Sequence, residues 1–315
     1  MVIVEKEELK TSQESQSLVS VIMNCFNGEK YLSEAINSVL LQTYKNWELI
    51  FWDNQSTDNS AEIIKGFDDP RIQYFYAPKH TTLYEARNHA IEQSKGEFIA
   101  FLDVDDWWES DKLAIQLAHF EDENVGLVCA NYDVFYEGVG WARPFWSGLK
   151  PSGFIFNELL SEYHVGLLTI IVRRVVYESV EGFDVRYNII GDFDFSLRIA
   201  ENWRIITINR SLAKYRFHGA NESIMQRKKH IEELKKWIIE SKERFSLESL
   251  KNIEEKEKFL SYLEAQYAIE TKDFFTFFKK IYQIFPSKNI IILIIKLFIP
   301  SKYLIYFYKK RFKLI

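Results

Sequence analysis

The feature that most constrains the fold is an alternation of short apolar runs with amphipathic helical stretches between Leu18 and Asn131. Apolar runs bounded by polar turns are typical of buried strands, and strands that alternate with helices are typical of a parallel sheet flanked by helices. We therefore predict an α/β fold with a mostly parallel sheet. The predicted strands are Leu18–Met23, Trp47–Trp52, Ile72–Tyr76, Phe98–Leu102 and Gly126–Ala130. The predicted helices are Lys30–Leu41, Asn59–Phe67, Tyr84–Ser94 and Asp111–Phe120.

The pattern changes after Asn131. Residues 132–161 are irregular and aromatic, which indicates either a substrate-side region or an aromatic satellite core under a long loop. A helix is predicted from about Asp192, followed by a closing pair of strands at Arg204–Ile208 and Leu212–Phe217. Residues 226–282 carry Lys, Glu, Leu and Ile at helical spacing, which predicts two or more amphipathic helices beside the first domain. We expect these helices to be structural.

The charge of the chain is unevenly distributed. A net charge of −5, from 45 acidic and 40 basic residues, gives no global basic field and so argues against nucleic acid as a partner. Residues 288–315 carry seven Lys or Arg and no acid. The apolar run Asn289–Ile299 is shorter than the roughly 20 residues that a membrane-spanning helix needs. We predict a basic amphipathic tail that lies in the membrane interface, with a helix docked on the domain as the alternative.

Two further features concern the cellular compartment. Cys25 and Cys129 lie in or beside apolar runs, which predicts buried thiols and a reducing environment. Residues 1–16 are polar and acidic, without the pattern of a secretory signal, and we expect them to be flexible. We expect a cytoplasmic protein, bound peripherally at the cytoplasmic face of the membrane.

Three carboxylates, Asp103, Asp105 and Asp106, follow the predicted strand Phe98–Leu102 directly. Like charges at this spacing raise one another's pKa unless a cation or hydrogen-bond donors stabilise them, and Mg²⁺ and Mn²⁺ prefer oxygen ligands. In open α/β sheets, ligands bind at the carboxyl ends of the strands. The pattern fits a metal held against phosphate. The alternative is a loop whose acids cap the next helix.

Polar turns also follow the first two predicted strands. The first continues into Asn24-Cys25-Phe26-Asn27-Gly28, and the second into Asp53-Asn54-Gln55-Ser56-Thr57-Asp58. Asn and Asp side chains can bind a base edge, a Phe can cover a flat ring, and backbone N–H groups at a helix start can bind phosphate. A nucleotide across these turns is one interpretation, and ordinary turn and N-cap chemistry is the other.

The order of the motifs is more specific than any one motif. Val19-Ser20-Val21-Ile22-Met23-Asn24-Cys25-Phe26-Asn27, Gln42-Thr43-Tyr44, Trp52-Asp53-Asn54-Gln55-Ser56-Thr57-Asp58, Ala86-Arg87-Asn88 and Phe101-Leu102-Asp103-Val104-Asp105-Asp106 together resemble family 2 glycosyltransferases, over roughly Ser17 to Ser223. The resemblance implies a GT-A fold with a Rossmann-like sheet. We expect a catalytic domain at 17–225, with a nucleotide-binding half at about 17–131 and an acceptor half at about 132–225. A helical extension at 226–287 and the basic tail at 288–315 follow.

The resemblance assigns roles to the residues of the motifs. It implies that Asp105 binds Mn²⁺ or Mg²⁺ on the donor diphosphate, with Asp103 near the sugar nucleotide and Asp103 and His218 as further metal ligands. From the sequence alone, a structural role for His218 is the stronger interpretation. The residues expected to bind the nucleotide sugar are Asn24, Phe26, Asn27, Asp53, Asn54, Arg87 and Asp103. Many family members carry two acids where this chain has Asp53-Asn54, and the second acid contacts uracil. Because this chain has Asn54 there, the nucleotide of the donor can be uridine, thymidine or another nucleotide.

A later segment, Ile190 to Arg198, resembles the family's Glu-Asp or Gly-Asp motif at the start of a helix, whose Asp acts as general base. Asp192 occupies that position. A carboxylate at a helix N-terminus is stabilised in its ionised form, and burial raises its basicity. The alternatives are an N-cap for Asp192 and an i,i+4 surface pair for Asp194 and Arg198.

These roles imply inverting transfer of a sugar from a UDP- or dTDP-linked donor to an acceptor hydroxyl. The resemblance suggests a saccharide or lipid-linked saccharide acceptor in bacterial surface polysaccharide or glycolipid assembly. Two other functions stay open. A metal-dependent nucleotidyltransferase would need the carboxylates and the nucleotide site but not Asp192, and a non-catalytic nucleotide-sugar or glycan-binding protein would show no turnover.

Overall fold

A computed structural model of the chain describes residues 17–218, 221, 225–246 and 248–284. The described strands are β1 (Val19–Cys25), β2 (Trp47–Asp53), β3 (Ile72–Tyr76), β4 (Phe98–Phe101), β5 (Trp107–Trp108), β6 (Val125–Tyr136), β7 (Trp141–Pro144), β8 (Ile171–Arg173) and β9 (Arg204–Phe217). The described helices are α1 (Leu32–Leu40), α2 (Ser60–Lys65), α3 (Leu83–Glu92), α4 (Lys112–Leu117), α5 (Phe156–Ser161), α6 (Arg174–Ser179), α7 (Gly191–Ala200), α8 (Arg227–Arg244), α9 (Ile253–Glu270) and α10 (Phe274–Gln283). The segments predicted to be a flexible N-terminus (1–16) and a membrane-interface tail (288–315) lie outside the described residues.

The strands form one mixed sheet in the order β3-β2-β1-β4-β8-β6-β9-β5, and β7 pairs with β6. The pairs β3-β2, β2-β1, β1-β4 and β6-β9 are parallel, whereas β8 runs antiparallel to both β4 and β6. The predicted α/β fold with a mostly parallel sheet is therefore confirmed.

The two faces of the sheet carry separate hydrophobic cores. All seven residues of β1 and all seven of β2 are buried, as expected for central parallel strands covered on both sides. Successive side chains alternate between faces, so Ile22 and Ile50 pack with α3 and α7, whereas Val21 and Leu49 pack with α1. The site at the strand ends therefore rests on a support that is packed from both sides.

The predicted closing pair of strands is wrong. Arg204–Ile208 and Leu212–Phe217 form one continuous strand, β9, which pairs in parallel with β6. The register shifts between Ala130 and Asn131 of β6, which lie opposite Ile208 and Ser211. The polar residues between them form a bulge, and a bulge and a turn have the same polar sequence signal.

The helical extension consists of three described helices, α8, α9 and α10. α8 packs into the core on the α7 side of the sheet through residues that include Trp237. Both cysteines, Cys25 and Cys129, are buried and unpaired, as predicted. No helix within the described part of the chain has the length and apolar character to cross a bilayer.

Candidate active site

The polar turns after β1, β2 and β4 lie side by side at one edge of the sheet. In the parallel register, Cys25 lies opposite Asp53, and Ile22 lies opposite Phe101. The three chain segments therefore leave the sheet at the carboxyl ends of neighbouring strands, where open α/β sheets bind their ligands. This brings the predicted nucleotide-binding residues and the Asp103–Asp106 cluster into one region.

Asp103 forms an ion pair with Arg87 of α3. Arg87 Nη2 donates to Asp103 Oδ1 at 2.5 Å. The Arg87 side chain is almost fully buried, whereas that of Asp103 is 37% exposed. Arg87 Nη1 is also buried and has no hydrogen-bond partner among the described residues. A buried N–H group without a hydrogen-bond partner is unfavourable. Arg87 Nη1 is therefore available to donate a hydrogen bond to an oxygen atom of a bound nucleotide sugar.

Asp105 contacts His218, which follows β9. The distance between Asp105 Oδ2 and His218 Nε2 is 2.9 Å. Burial and the negative charge of Asp103 raise the pKa of Asp105, and the hydrogen bond with His218 opposes this rise. A bound cation would stabilise the ionised carboxylate in the same way. The structure thus places His218 beside the acid cluster, where sequence alone favoured a purely structural role.

The oxygen and nitrogen atoms at Asp105 and His218 are suitable ligands for a divalent cation. Mg²⁺ is commonly held by one or two carboxylates, with substrate phosphates and water completing its coordination. Asp105 and His218 supply a carboxylate oxygen and an imidazole nitrogen within contact of each other. The described residues contain no group of three or more His, Cys, Asp or Glu side chains placed to hold a metal. The remaining ligands would therefore come from the substrate and solvent.

Arg216 supports the acid cluster, and no motif in the sequence marked it. Its Nε donates to the backbone oxygen of Asp105 at 3.0 Å, and its backbone N–H donates to Asp106 Oδ1 at 2.9 Å. Its guanidinium also pairs with Glu34 of α1. Burial raises the pKa of Asp106 well above its usual range. The one available sequence signal was a charged residue two positions before His218.

Asn24 and Phe26 present different surfaces at the end of β1. The Asn24 side chain is buried, and neither its amide nitrogen nor its amide oxygen has a hydrogen-bond partner within the described parts of the chain. Phe26 is 53% exposed, and its ring meets that of His80 edge-on with centroids 4.4 Å apart. An exposed aromatic face near an unpaired amide suits a flat base with polar edges.

Asn27 and Asp53 brace the turns. Asn27 has a left-handed φ of 56°, and its side-chain oxygen accepts from Thr57 N at 2.8 Å. Asp53 accepts from Ser56 N at 2.7 Å and from the Tyr74 hydroxyl at 2.9 Å. These contacts are the turn chemistry that the sequence left open as an alternative. Both residues therefore shape the region through protein contacts.

Asn54 is bound to the backbone of Thr81. Its Nδ2 donates to Thr81 O at 2.9 Å, and its Oδ1 accepts from Thr81 N at 3.1 Å. The Asn54 backbone oxygen also contacts His80 Nδ1 at 2.8 Å. Asn54 thereby connects the end of β2 to the segment that leads into α3, and it is buried.

Asp192 is the second residue of α7, as the sequence predicted for a helix start. Its carboxylate accepts from the Tyr84 hydroxyl at 3.2 Å and from the Tyr163 hydroxyl at 3.3 Å. Burial raises the pKa of Asp192, and the charge of Arg87 opposes this rise. The N-cap position belongs to Ile190, so the N-cap alternative for Asp192 is wrong. A partly buried carboxylate of raised pKa suits proton removal.

α3 connects the acid cluster to Asp192. Tyr84 and Arg87 lie three residues apart on one face of this helix, with the guanidinium 4.9 Å from the Tyr84 ring centroid. Tyr84 reaches Asp192, and Arg87 reaches Asp103. Asp103, predicted to lie near the sugar nucleotide, and Asp192, the predicted base, are thus both bound by side chains of α3. The Tyr-Glu-Ala-Arg spacing was a signal for Tyr84, whereas nothing in the sequence marked Tyr163.

Asp194 and Arg198 form a buried pair, so the surface-pair alternative is wrong. Asp194 is completely buried and accepts from Arg198 Nε at 2.8 Å. It also accepts from Trp237 Nε1 and from Arg244 Nη1, each at 3.0 Å. The last two donors belong to α8, so the helical extension is bound directly to the helix that carries Asp192.

Residues 20–180 match the family model described as glycosyl transferase family 2. The match covers half of the chain. The chain therefore belongs to glycosyl transferase family 2, and the resemblance stated from the motifs is confirmed. The protein is a glycosyltransferase.

Relatives of known name cover the same region. The chain is 32% identical over 225 residues to the UDP-Glc:alpha-D-GlcNAc-diphosphoundecaprenol beta-1,3-glucosyltransferase WfgD of Escherichia coli, which covers 70% of this chain and 85% of the relative. It is 29% identical over 213 residues to the putative teichuronic acid biosynthesis glycosyltransferase TuaG of Bacillus subtilis. This match covers 67% of this chain and 82% of TuaG.

Solved structures confirm the GT-A fold. TarS 1–349 of S. aureus, in complex with UDP-GlcNAc, aligns with a TM-score of 0.59 at 14% identity, over 84% of this chain and 90% of that one. The mannosyltransferase PcManGT of Pyrobaculum calidifontis, in complex with GDP-Man and Mn²⁺, aligns with a TM-score of 0.59 at 18% identity, over 77% and 69%.

Proposed function

We propose that this glycosyltransferase moves a sugar from a nucleoside diphosphate donor to an acceptor hydroxyl in one inverting displacement. The observation that carries the proposal is the convergence on α3, where Arg87 holds Asp103 and Tyr84 holds Asp192. A donor bound at the strand ends would then lie between the acid cluster and a base. A nucleotidyltransferase has no need of the second carboxylate.

The proposed chemistry assigns one role to Asp192. Its carboxylate accepts the proton of the acceptor hydroxyl as the oxygen attacks the anomeric carbon. The bond from that carbon to the diphosphate breaks on the opposite face, and the nucleoside diphosphate leaves with the bonding electrons. General base catalysis of this kind contributes about 10²–10⁴-fold. Arg87 Nη1 is proposed to bind a donor oxygen, which orients the leaving group.

We further propose that the enzyme depends on Mn²⁺ or Mg²⁺. Asp105 would hold the ion with His218 as a further ligand, and Asp103, paired with Arg87, would lie near the sugar nucleotide. The ion would neutralise charge on the departing diphosphate. Support comes from the contact between Asp105 and His218, and the structurally similar PcManGT is described with Mn²⁺.

The proposed donor is a UDP- or dTDP-sugar. WfgD is named as acting on UDP-Glc, and TarS is described in complex with UDP-GlcNAc. The unpaired amide of Asn24 and the exposed ring of Phe26 are proposed to contact the base. Asn27, Asp53 and Asn54 are proposed to shape the nucleotide pocket through the turns that they hold.

The proposed acceptor is a saccharide on a lipid carrier, used in surface polysaccharide assembly. The name of WfgD describes a GlcNAc-diphosphoundecaprenol acceptor, and that of TuaG describes teichuronic acid biosynthesis. Such an acceptor lies at a membrane. We therefore propose peripheral membrane binding, supported by the basic sequence 288–315 and by an exposed aromatic face on α10, formed by Phe274, Phe275, Phe278 and Tyr282.

The test measures nucleotide release from UDP-glucose, UDP-GlcNAc, dTDP-glucose and GDP-mannose, with Mn²⁺, Mg²⁺ or EDTA, and with a synthetic α-D-GlcNAc-diphospholipid as acceptor. We expect turnover of one donor, lost in EDTA and in Asp105→Ala. Asp192→Asn should bind that donor normally, as measured by thermal stabilisation, but should transfer sugar about 10²–10⁴-fold more slowly. Full transfer by Asp192→Asn would contradict the proposed base.

A further inference from the structure

The helical extension contacts the segment that leads into α7 through one buried carboxylate, Glu233 of α8. Glu233 Oε1 accepts from Asn188 N at 2.8 Å, and Oε2 accepts from Ile189 N at 2.8 Å and Ile190 N at 3.2 Å. Three consecutive backbone N–H groups thus bind a single side chain. Such a concave run of N–H groups is an anion-binding arrangement, and here the protein supplies its own anion.

The same segment is tied to α3. Asn188 Oδ1 accepts from Leu83 N, the first residue of α3, at 3.1 Å. Tyr84, the next residue, donates to Asp192. The Asn188–Ile190 segment therefore fixes two elements relative to each other. These elements are α7, which carries Asp192, and α3, which carries Tyr84.

α8 also holds the residues that follow Asp192. The Phe193 ring packs against Trp237 with centroids 4.8 Å apart. Asp194 accepts from Trp237 Nε1 and Arg244 Nη1. Contacts from one helix therefore bind the chain immediately before and immediately after Asp192. Asp192 itself, between them, bonds to Tyr84 and Tyr163 on the other side.

We propose that Glu233 is a positioning residue for the catalytic base, acting through the Asn188–Ile190 backbone to set the place of the Asp192 carboxylate. This inference rests on the proposed role of Asp192. The extension is then part of the catalytic apparatus and more than a packed support. Glu233 makes no described contact with the turns after β1, β2 and β4 or with Arg87, so we expect binding of the donor to change little when Glu233 is substituted.

The test compares Glu233→Gln with a control, Glu232→Gln, at the neighbouring position. The Glu232 side chain is exposed, and its Oε1 lies 3.9 Å from Lys228 Nζ. Glutamine keeps the size of Glu233 but replaces one accepting oxygen with a donor, which cannot pair with a backbone N–H. With UDP-glucose and the GlcNAc-diphospholipid, we expect kcat to fall about 10- to 100-fold for Glu233→Gln, because small displacements of a reacting group are costly. The KM for UDP-glucose should change by less than about twofold. Glu232→Gln should behave as wild type.

Two further measurements separate positioning from general destabilisation. In an Asp192→Asn background, Glu233→Gln should cause no additional loss of residual turnover, since the base through which it acts is gone. Trp237→Phe keeps an aromatic ring beside Phe193 but loses the hydrogen bond to Asp194, and we expect a smaller loss of kcat with unchanged KM. Melting curves establish that each variant is folded at the assay temperature.

Each outcome separates this inference from the proposed function. Full kcat in Glu233→Gln beside an inactive Asp192→Asn would overturn the positioning role alone. A rise in donor KM that matches the fall in kcat would also overturn it, as would an undiminished effect in the Asp192→Asn background. Full transfer by Asp192→Asn would instead overturn the base assignment on which the inference rests.

Discussion

At the scale of single residues, Asn54 illustrates how an amide and a carboxylate differ in this site. The Asn54 amide donates to the backbone oxygen of Thr81 and accepts from its backbone N–H. An amide has a donor and an acceptor, whereas an ionised carboxylate only accepts. The resemblance to the family leads one to expect an acid here. The contact with Thr81 gives a physical reason for Asn, since it requires the amide N–H.

Asn54→Asp should therefore lower stability. The new carboxylate would face the Thr81 carbonyl oxygen, leaving two acceptors together in a buried position, at a cost of about 1–3 kcal/mol. Only the protonated acid can donate to that oxygen, so the folded-state pKa of the new carboxyl lies above its unfolded value. The stability deficit should be largest at neutral pH and should shrink as the pH falls. Urea unfolding at several pH values measures it.

The matched control is Asn37→Asp, which removes a similar amide-to-carbonyl bond, to Ser33 O, at an exposed position. Water can replace this bond, so we expect a small change in the free energy of unfolding. An Asn54→Asp deficit no larger than that of the control, or one that grows as the pH falls, would contradict the account of the Thr81 contact.

Tyr84 gives a pH-dependent prediction at the same scale. Burial raises the pKa of Asp192, and the Tyr84 hydroxyl lowers it by donating to the ionised form. The proposed base, Asp192, must be ionised to accept a proton, so the acid limb of the profile of kcat/KM against pH should lie above the ordinary pKa of an Asp carboxyl. Tyr84→Phe removes the donor, so the pKa of Asp192 rises and the limb moves to higher pH.

A control for this shift is Tyr177→Phe, because the Tyr177 hydroxyl donates to Asn88 and makes no described contact with Asp192. Its acid limb should coincide with that of wild type. Profiles of kcat/KM against pH for the three proteins decide the matter. A limb in Tyr84→Phe that stays in place or moves to lower pH would show that the hydroxyl does not stabilise the ionised base.

At the scale of elements, the sequence predicted the core strands well because hydrophobic runs dominate their pattern. β3 was predicted at its observed bounds, Ile72–Tyr76, and β1 and β2 to within two residues at each end. The start of β6 was found, but not its continuation to Tyr136, since the outer part of that strand is only half-buried. The bulge in β9 was taken for a turn because Asn209 and Arg210 are polar and exposed.

The site was predictable only where a motif marks it. Asp103, Asp105, Arg87 and Asp192 stood in recognised motifs, and the structure brings their elements together. Contacts between distant elements had no such signal. The sequence placed α8 correctly as an amphipathic helix, but helical spacing does not show that Glu233 binds backbone N–H groups 43 to 45 residues earlier. Partners of this kind follow from packing of the whole domain.

At the scale of the whole molecule, the described helices leave one aromatic surface uncovered. Phe275, Phe278 and Tyr282 of α10 are 81%, 63% and 85% exposed, and Phe274, one turn before Phe278, is 53% exposed. The chain beyond α10 is basic and apolar in sequence. Aromatic side chains beside Lys and Arg are typical of surfaces that insert into the interface of an anionic bilayer.

The 315-residue chain should therefore cosediment with vesicles of phosphatidylglycerol and phosphatidylcholine, and less with phosphatidylcholine alone. Phe275→Glu combined with Phe278→Glu removes two large apolar groups and adds two negative charges, so we expect binding to weaken about 10-fold or more. Leu149→Glu combined with Ile239→Glu makes the same charge change at exposed apolar positions elsewhere and should bind as wild type. Raised salt should weaken binding of all three proteins, because it screens attraction to the anionic headgroups. Equal sedimentation of the two double variants would mean that the α10 face does not contact the bilayer, and membrane binding would then depend on other parts of the chain.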